Sequence, residues 1–327
     1  MEKYIGIDLG GTKIKGLLAD ASGRVLASKE IPTRATEGQE AVFDRILGLT
    51  QELASEASAV GTLRAIGVGA PGPLDAAAGL ILITENLPFE NFPIARRLQN
   101  ALGLPTFLEN DGNVAAMGEF LYGEGAGANP LIYLTLSTGI GAGALIDGRV
   151  FRGRCSNALE AGHITLKPDG PLCACGNRGC AEALASGTAI AMAATEAAQA
   201  ALSGAGAPTS LSVYPSPSAR EVFIEAERGD AVSEEIASRA LLYIGICAST
   251  IVTLFDPEVL VVGGGVMKAG PRVLESIKQA VGQRCARAVA DSCRIISSAP
   301  QGDSGARGAA ALAALSVHAS RQIKMPY

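Results

Sequence analysis

Four side chains near the middle of the chain have the types and spacing of a metal site. Cys173-Ala174-Cys175 is followed by Gly176-Asn177-Arg178-Gly179-Cys180, and His163 lies ten residues upstream of the first thiol. Three thiols and an imidazole make the Cys₃His set that zinc takes in tetrahedral coordination. A closed shell of four protein ligands leaves no open position, so zinc here is expected to be structural. The glycines stand where a loop must fold around an ion. His318 is the only other histidine in the 327 residues, and the competing reading is reduced thiols beside a chance imidazole.

A second chemistry is that of an acid. Glu109-Asn110-Asp111-Gly112-Asn113 sits where an apolar segment hands over to a helical one. A carboxylate with a free pKa of ~3.9 is ionised at neutral pH and can accept the proton of an attacking hydroxyl. The same side chain could equally cap the helix. Asn110 beside it could hold the hydroxyl by donating and accepting hydrogen bonds.

Three glycine turns offer a third chemistry. Asp8-Leu9-Gly10-Gly11-Thr12-Lys13, Ser137-Thr138-Gly139-Ile140-Gly141 and Val262-Gly263-Gly264-Gly265-Val266 each follow an apolar run. Bare backbone can turn tightly and present N–H groups to an anion, with Thr12 and Thr138 adding hydroxyls and Lys13 a cation. None has the Walker lysine spacing or the dinucleotide Gly-x-Gly-x-x-Gly. Each alone reads as a hairpin turn; three at strand ends favour a nucleotide.

Positioning these groups requires an α/β chain. Strands are expected at 4–9, 14–19 and 24–31 as a meander, then a helix over 39–58 and a buried strand at 64–69 closed by Pro71-Gly72-Pro73. A strand at 105–109 precedes a helix at 113–121, and the glycine run 123–127 suggests a boundary. A second meander opens at Leu131. Set 127 residues apart, Leu9 falls on Leu136, Gly16 on Gly143, Leu18 on Leu145 and Asp20 on Asp147, the trace of a duplicated fold. Residues 201–217 read as an exposed loop. Beyond it are expected a helix over 231–254, a strand at 258–262, a helix after Pro271, a strand at 294–297 and a last helix from Ser304.

Composition narrows the function classes. A chain that is 48% hydrophobic and 18% charged can build two ordinary cores, which excludes disorder as its main state. Net charge is −5 and the pI is near 5.3, arguing against a broad nucleic-acid footprint. Mean hydropathy is +0.27, yet no uninterrupted apolar run nears the ~18 residues of a membrane span, and Asp8 falls where an export signal needs apolar residues. Neither membrane nor export is expected, and the location is expected to be cytoplasmic. Seven cysteines, an odd number, argue for reduced thiols, with Cys155, Cys247, Cys285 and Cys293 packing as small buried hydrophobes.

Taken together the motifs resemble the bacterial ROK family of sugar kinases, whose fold is shared with actin, hexokinase and Hsp70, over nearly the whole chain. The two phosphate-loop-like turns, Ala70-Pro71-Gly72-Pro73-Leu74-Asp75, Glu109-Asn110-Asp111, Glu160-Ala161-Gly162-His163, the cysteine cluster, and Phe255-Asp256-Pro257-Glu258 with its glycine turn stand in the family's order. The resemblance implies a two-domain actin-like ATPase (ribonuclease H-like) fold, each domain a mixed sheet covered by helices, with a cleft between them. Residues 1–122 would form the small domain, joined by the helix at about 301–327. Residues 123–300 would form the large one with the zinc loop.

It further implies that Asp111 is the general base and that Asn110, Glu160, His163 and Glu182 contact sugar hydroxyls, with Gly72 close by. ATP with Mg²⁺ would lie across Gly10, Gly11, Thr12, Lys13, Thr138, Gly139, Gly263, Gly264 and Gly265, and His163 would both ligate Zn²⁺ and border the sugar. The implied reaction is phosphorylation of a hexose, glucose first, in a homodimer, with an N-acetylated amino sugar or fructose as alternative substrates and a non-catalytic sugar-sensing protein of the family as the alternative function. Two positions depart from the family pattern: Leu159, where glycine is usual before the glutamate, and Phe89 to Phe92, where tryptophan is frequent. The family's sugar-responsive repressors carry a helix-turn-helix ahead of the first loop. None is expected here, where that loop starts at residue 8. A sugarless ATPase of the actin type would lack the Glu-x-Gly-His and cysteine arrangement.

Overall fold

The computed structural model describes residues 2–84, 87–298 and 303–322. The first half runs β1 (Glu2–Leu9), β2 (Lys13–Asp20), β3 (Val25–Pro32), α1 (Gln39–Val60), β4 (Thr62–Ala70), three short strands β5 (Leu74–Asp75), β6 (Leu80–Ile83) and β7 (Glu90–Phe92), α2 (Ile94–Leu102), β8 (Thr106–Asn110) and α3 (Asp111–Tyr122). The second half runs β9 (Leu131–Leu136), β10 (Ile140–Ile146), β11 (Arg149–Val150), α4 (Ala181–Ala185), α5 (Gly187–Leu202), α6 (Ala219–Glu227), α7 (Ala231–Phe255), β12 (Val259–Gly263), α8 (Pro271–Arg284), α9 (Arg287–Ser292), β13 (Arg294–Ser297) and α10 (Ser304–Gln322).

The repeat suggested by the 127-residue offset has a counterpart in topology. One five-stranded sheet has the order β3-β2-β1-β4-β8 and another the order β11-β10-β9-β12-β13, so each strand of the first has a counterpart in the second. In the first sheet β1 to β3 form the expected antiparallel meander, while β1, β4 and β8 are parallel, which requires the helical crossovers α1 and α2. That is a mixed α/β fold.

Compactness divides the chain into a first unit, Met1–Tyr133, Gly143–Leu159 and Ala299–Tyr327, and a second, Leu134–Ala142 and Glu160–Ser298. The first therefore takes in 123–133 and 143–159, which the sequence reading placed in the later domain. Local bonding accounts for this. Gly123 N donates to Glu119 O and Gly127 N to Phe120 O, so the glycine run finishes α3, and Asn129 and Asp147 exchange two hydrogen bonds. The boundary expected at residue 300 lies outside the described residues.

In the first unit the alanine-rich α10 lies against the sheet with backbone touching backbone. A Cβ on Gly6 would come within 2.0 Å of Ala306 O, and one on Gly67 within 1.8 Å of Ala309 O. Only glycine on the strands and alanine on the helix allow this approach, which buries Ala306, Ala309, Ala310 and Ala313. Phe89 and Phe92 are core as well: their rings lie 4.7 Å apart and the Phe43 ring is tilted against Phe92 at 5.6 Å, with the Arg97 guanidinium 4.2 Å above Phe43.

In the second unit, α7 contains a window of mean hydropathy 1.6, long and apolar enough to cross a membrane by composition. Half of that window is buried in the protein, where α7 packs on α8 and α6. Residues 201–217 are mostly exposed, as expected, but are anchored to the unit at two points. A 3₁₀ turn, Ser210–Val213, buries Leu211 completely, and the Asp230 carboxylate that caps α7 also accepts from Thr209 Oγ1 and Ser210 N. Cys247 and Cys293 are buried as expected, but Cys155 is exposed in a loop and Cys285 is half-buried at the end of α8, donating toward Ser249 O.

Candidate functional site

The acid turn belongs to the first unit. Strand β8 ends at Asn110, whose extended backbone and side chain cap α3: Oδ1 accepts from Gly112 N at 2.9 Å and Asn113 N at 3.3 Å. Asn110 thus takes the capping role, which leaves Asp111 at the first helical position, where the helix N-terminus favours an anion. Its Oδ1 accepts from Gly112 N at 2.8 Å. With Oδ1 spent on the cap, what Asn110 can offer a ligand is its amide N–H.

Beneath this turn lies a carboxylate to which sequence reasoning gave no role. Glu109 is fully buried, and its oxygens accept from Asn110 N and Asn113 Nδ2 at 3.0 Å and from Arg152 Nε at 2.5 Å. Every one of these donors reaches it from the turn itself or from the 151–158 loop that leads to Glu160. The same loop is tied to the Gly72-Pro73 turn, because Asn157 Oδ1 accepts from Leu74 N at 3.0 Å. Loop residues of this kind leave no periodic signal in a sequence. Leu159, next in the chain, holds a left-handed backbone (φ 63°), which explains why glycine suits that position and costs a leucine ~1–2 kcal/mol.

Asp8, the last acid of β1, is the other group missed. Burial first, and then the Asp111 charge, push its carboxyl up to about 7, against the opposing pull of Lys13 and Lys15. An acid at the end of an apolar strand before two glycines was the available signal. The native chain then holds this proton up to about 7, whereas the unfolded chain releases it near 3.8. The native state binds more protons in between, so stability falls as pH rises across that window, by up to ~1.4 kcal/mol per pH unit. Asp8→Asn removes the titration. Melting temperature in Mg²⁺-free buffer is expected to fall less from pH 4 to 7 in the variant than in the parent, and parallel curves would count against a protonated Asp8.

The turn after β1 is a closed hairpin, with Gly10 N donating to Lys13 O and Thr33 Oγ1 to Gly10 O at 2.6 Å. Thr12 and Lys13 are exposed at its tip, and Lys13 Nζ lies 2.7 Å from Glu30.

In the second unit the turn after β9 is stitched to the α4–α5 junction. Gly187 N donates to Ser137 O, Thr188 N to Thr138 O, and Ile140 N to Glu182 Oε2 at 2.8 Å. Gly264, after β12, has φ +99°, and its bare face lies against the Leu136 carbonyl. Between these turns and helices α5 and α6 opens a cavity of about 730 Å³, lined by Thr138, Gly265 and Val266 on one side and by Ala191, Met192 and Phe223 on the other. Apolar walls beside a glycine turn suit a flat ring carrying a polar tail.

The metal-type residues also lie in the second unit. Ligand atoms of His163, Cys173, Cys175 and Cys180 all fall within 4.8 Å of one another. The Cys175–Cys180 sulfur separation and the Cys173 Sγ–His163 Nδ1 separation are both 3.7 Å. Tetrahedral thiolates 2.3 Å from zinc would stand ~3.8 Å apart, so this donor set fits the ion. Burial and the neighbouring thiols push the Cys180 thiol up to about 12, so that without a cation this thiol stays protonated. Glu160 directly precedes a 3₁₀ turn, Ala161–His163, and Gly162 packs so closely on Ile140 O that a Cβ would come within 2.1 Å.

The family model described as ROK family matches residues 4–315, and the chain belongs to the ROK family. It is 34% identical to a glucokinase of Halalkalibacterium halodurans over 84% of each chain, and 33% identical to an N-acetylmannosamine kinase of Escherichia coli over 80% of this chain and 82% of that one. Among solved structures it resembles the ROK hexokinase from Thermus thermophilus (TM-score 0.80, 37% identity, 97% of this chain and 99% of that one). It also resembles a ROK glucokinase from Streptomyces griseus in complex with glucose and AMPPNP (TM-score 0.79, 31% identity, 95% and 99%). The fold is accordingly the actin-like ATPase fold of these enzymes.

Proposed function

We propose that the chain is an ATP-dependent sugar kinase that phosphorylates a hexose at its primary hydroxyl, with glucose the preferred substrate. The observation that carries this reading is the Asp111 carboxylate, placed at the head of α3 with the capping duty taken by Asn110. In the reaction the hexose oxygen attacks the γ-phosphorus, the bond from that phosphorus to the β-bridging oxygen breaks, ADP leaves, and the hydroxyl proton passes to Asp111. Asn110, Glu160, His163 and Glu182 orient the hexose, with Gly72 beside it. Thr138, Gly139, Gly263, Gly264 and Gly265 take the nucleotide, whose base fits the apolar cavity, and Gly10, Gly11, Thr12 and Lys13 receive the phosphates. Mg²⁺ supplies charge neutralisation on the phosphates, with Asp8 the carboxylate placed to serve it. Zn²⁺ on His163, Cys173, Cys175 and Cys180 is structural. A cytoplasmic homodimer is the accompanying expectation.

The test is ADP release over a panel of free sugars, coupled for glucose to an assay specific for hexose 6-phosphate. ADP release without sugar is expected to be slow, with glucose giving the strongest stimulation. Strongest stimulation by an N-acetylated amino sugar would transfer the reading to the chemistry of the Escherichia coli relative. Rapid hydrolysis that no sugar alters would remove the kinase reading altogether.

A further inference from the structure

The incoming half of the Ser137–Ile140 turn is fixed by α5, which donates Gly187 N and Thr188 N to the carbonyls of Ser137 and Thr138. The outgoing half meets Glu182. Ile140 N donates to Oε2, and that oxygen lies 2.2 Å from where a Cβ on residue 139 would be, whereas Oε1 lies 3.8 Å from the same point. A side chain at 139 would displace the carboxylate packed on the glycine's bare face. The same carboxylate stands on the first turn of α4, and Gly162, next to His163, would place a Cβ 3.3 Å from the Glu182 Cβ. Glu182 therefore joins the sugar-contact segment to the nucleotide turn.

We infer that Glu182 is a positioning residue for the nucleotide turn as well as a sugar contact, with one carboxylate oxygen committed to each task. A carboxylate has about four acceptor sites, so the bond from Ile140 leaves Oε1 able to accept from a hydroxyl. This inference rests on the kinase reading and adds to it that the nucleotide turn keeps its shape because Glu182 holds it. The electrostatics make the idea decidable. A carboxylate that merely faced sugar would sit beside a turn that takes an anionic nucleotide and repel it, so its removal would leave nucleotide binding unchanged or tighter. A carboxylate that shapes the turn gives the opposite result.

Calorimetric titration with Mg²⁺ and ADP in the absence of sugar separates the two. Glu182→Ala is expected to weaken ADP binding about tenfold or more, the scale of a lost hydrogen bond to a charged acceptor. Glu182→Gln keeps an oxygen for the Ile140 N–H and is expected to bind ADP within about threefold of the parent, while losing much of its hexose affinity. Gly139→Ala, whose methyl takes the place of Oε2, should imitate the alanine variant. Unchanged or tighter ADP binding by Glu182→Ala overturns the inference, as does equal binding by Glu182→Gln and Gly139→Ala should the alanine variant fail to fold. Failure of the parent chain to bind ADP overturns the kinase reading itself, and the inference with it.

Discussion

Asp111→Asn is expected to turn over hexose about 10²- to 10⁴-fold more slowly than the parent chain, the usual cost of a lost general base, while still binding the sugar. The substitution is close to isosteric. An asparagine Oδ1 at 111 can still accept from Gly112 N, and the cap of α3 is untouched because Asn110 supplies it. The ion pair of buried Glu109 with exposed Arg152 is also left in place. What disappears is the group able to take a proton. Neutralising residue 111 has a second consequence that marks the site: Asp8 loses the neighbouring charge that helps to raise its carboxyl, so Asp8 should ionise at lower pH in the variant. Sugar affinity by calorimetry and turnover by coupled assay should therefore separate, with kcat falling and the dissociation constant staying within a few-fold. Turnover within a few-fold of the parent would reduce Asp111 to a residue of the helix start.

Much of this was legible in the sequence because the relevant signals are local. Strand and glycine turn adjoin in Leu9-Gly10-Gly11, the hydroxyl pair follows β9 directly, and the three thiols fall within eight residues. Periodicity placed β1 to β4, β8, α3, α7 and α10 to within a few residues, since each buries one face or both on a sheet or a helix. What the residue order could not carry was the long-range bonding. Arg152 reaches Glu109 across 43 positions, Glu182 reaches Ile140 across 42 and Asn157 reaches Leu74 across 83. None of these pairs has a spacing that a helix or a hairpin would impose. The sequence reading likewise left open whether the acid caps α3 or serves as a base, and did not weigh Asn110 as the cap. The answer depends on backbone angles at Asn110 that either assignment would have allowed.

Loss of zinc should have the largest effect on stability, and Cys175 is the position at which to produce it. Cys173 and Cys180 are buried, so truncating either removes packing as well as a ligand, whereas Cys175 is exposed and its side chain contributes little to the core. A closed shell of this kind is worth ~10–16 kcal/mol of apparent binding in small peptides at neutral pH. Only part of that will appear in a unit that also has a hydrophobic core of its own, and a fall in melting temperature on the order of 10 °C is expected for Cys175→Ala. Elemental analysis should find one zinc per parent chain and none in the variant, and chelator-treated parent should melt with the variant. The effect should also reach the ligand site, because Cys180 stands immediately before α4 and Glu182 lies in that helix's first turn. A helix start released from the metal no longer fixes the carboxylate that holds Ile140, so the zinc-free protein should lose hexose affinity before it unfolds. Purified parent protein without zinc after expression with the metal supplied, or melting that a chelator leaves unchanged, would defeat the assignment of His163, Cys173, Cys175 and Cys180 as a zinc site.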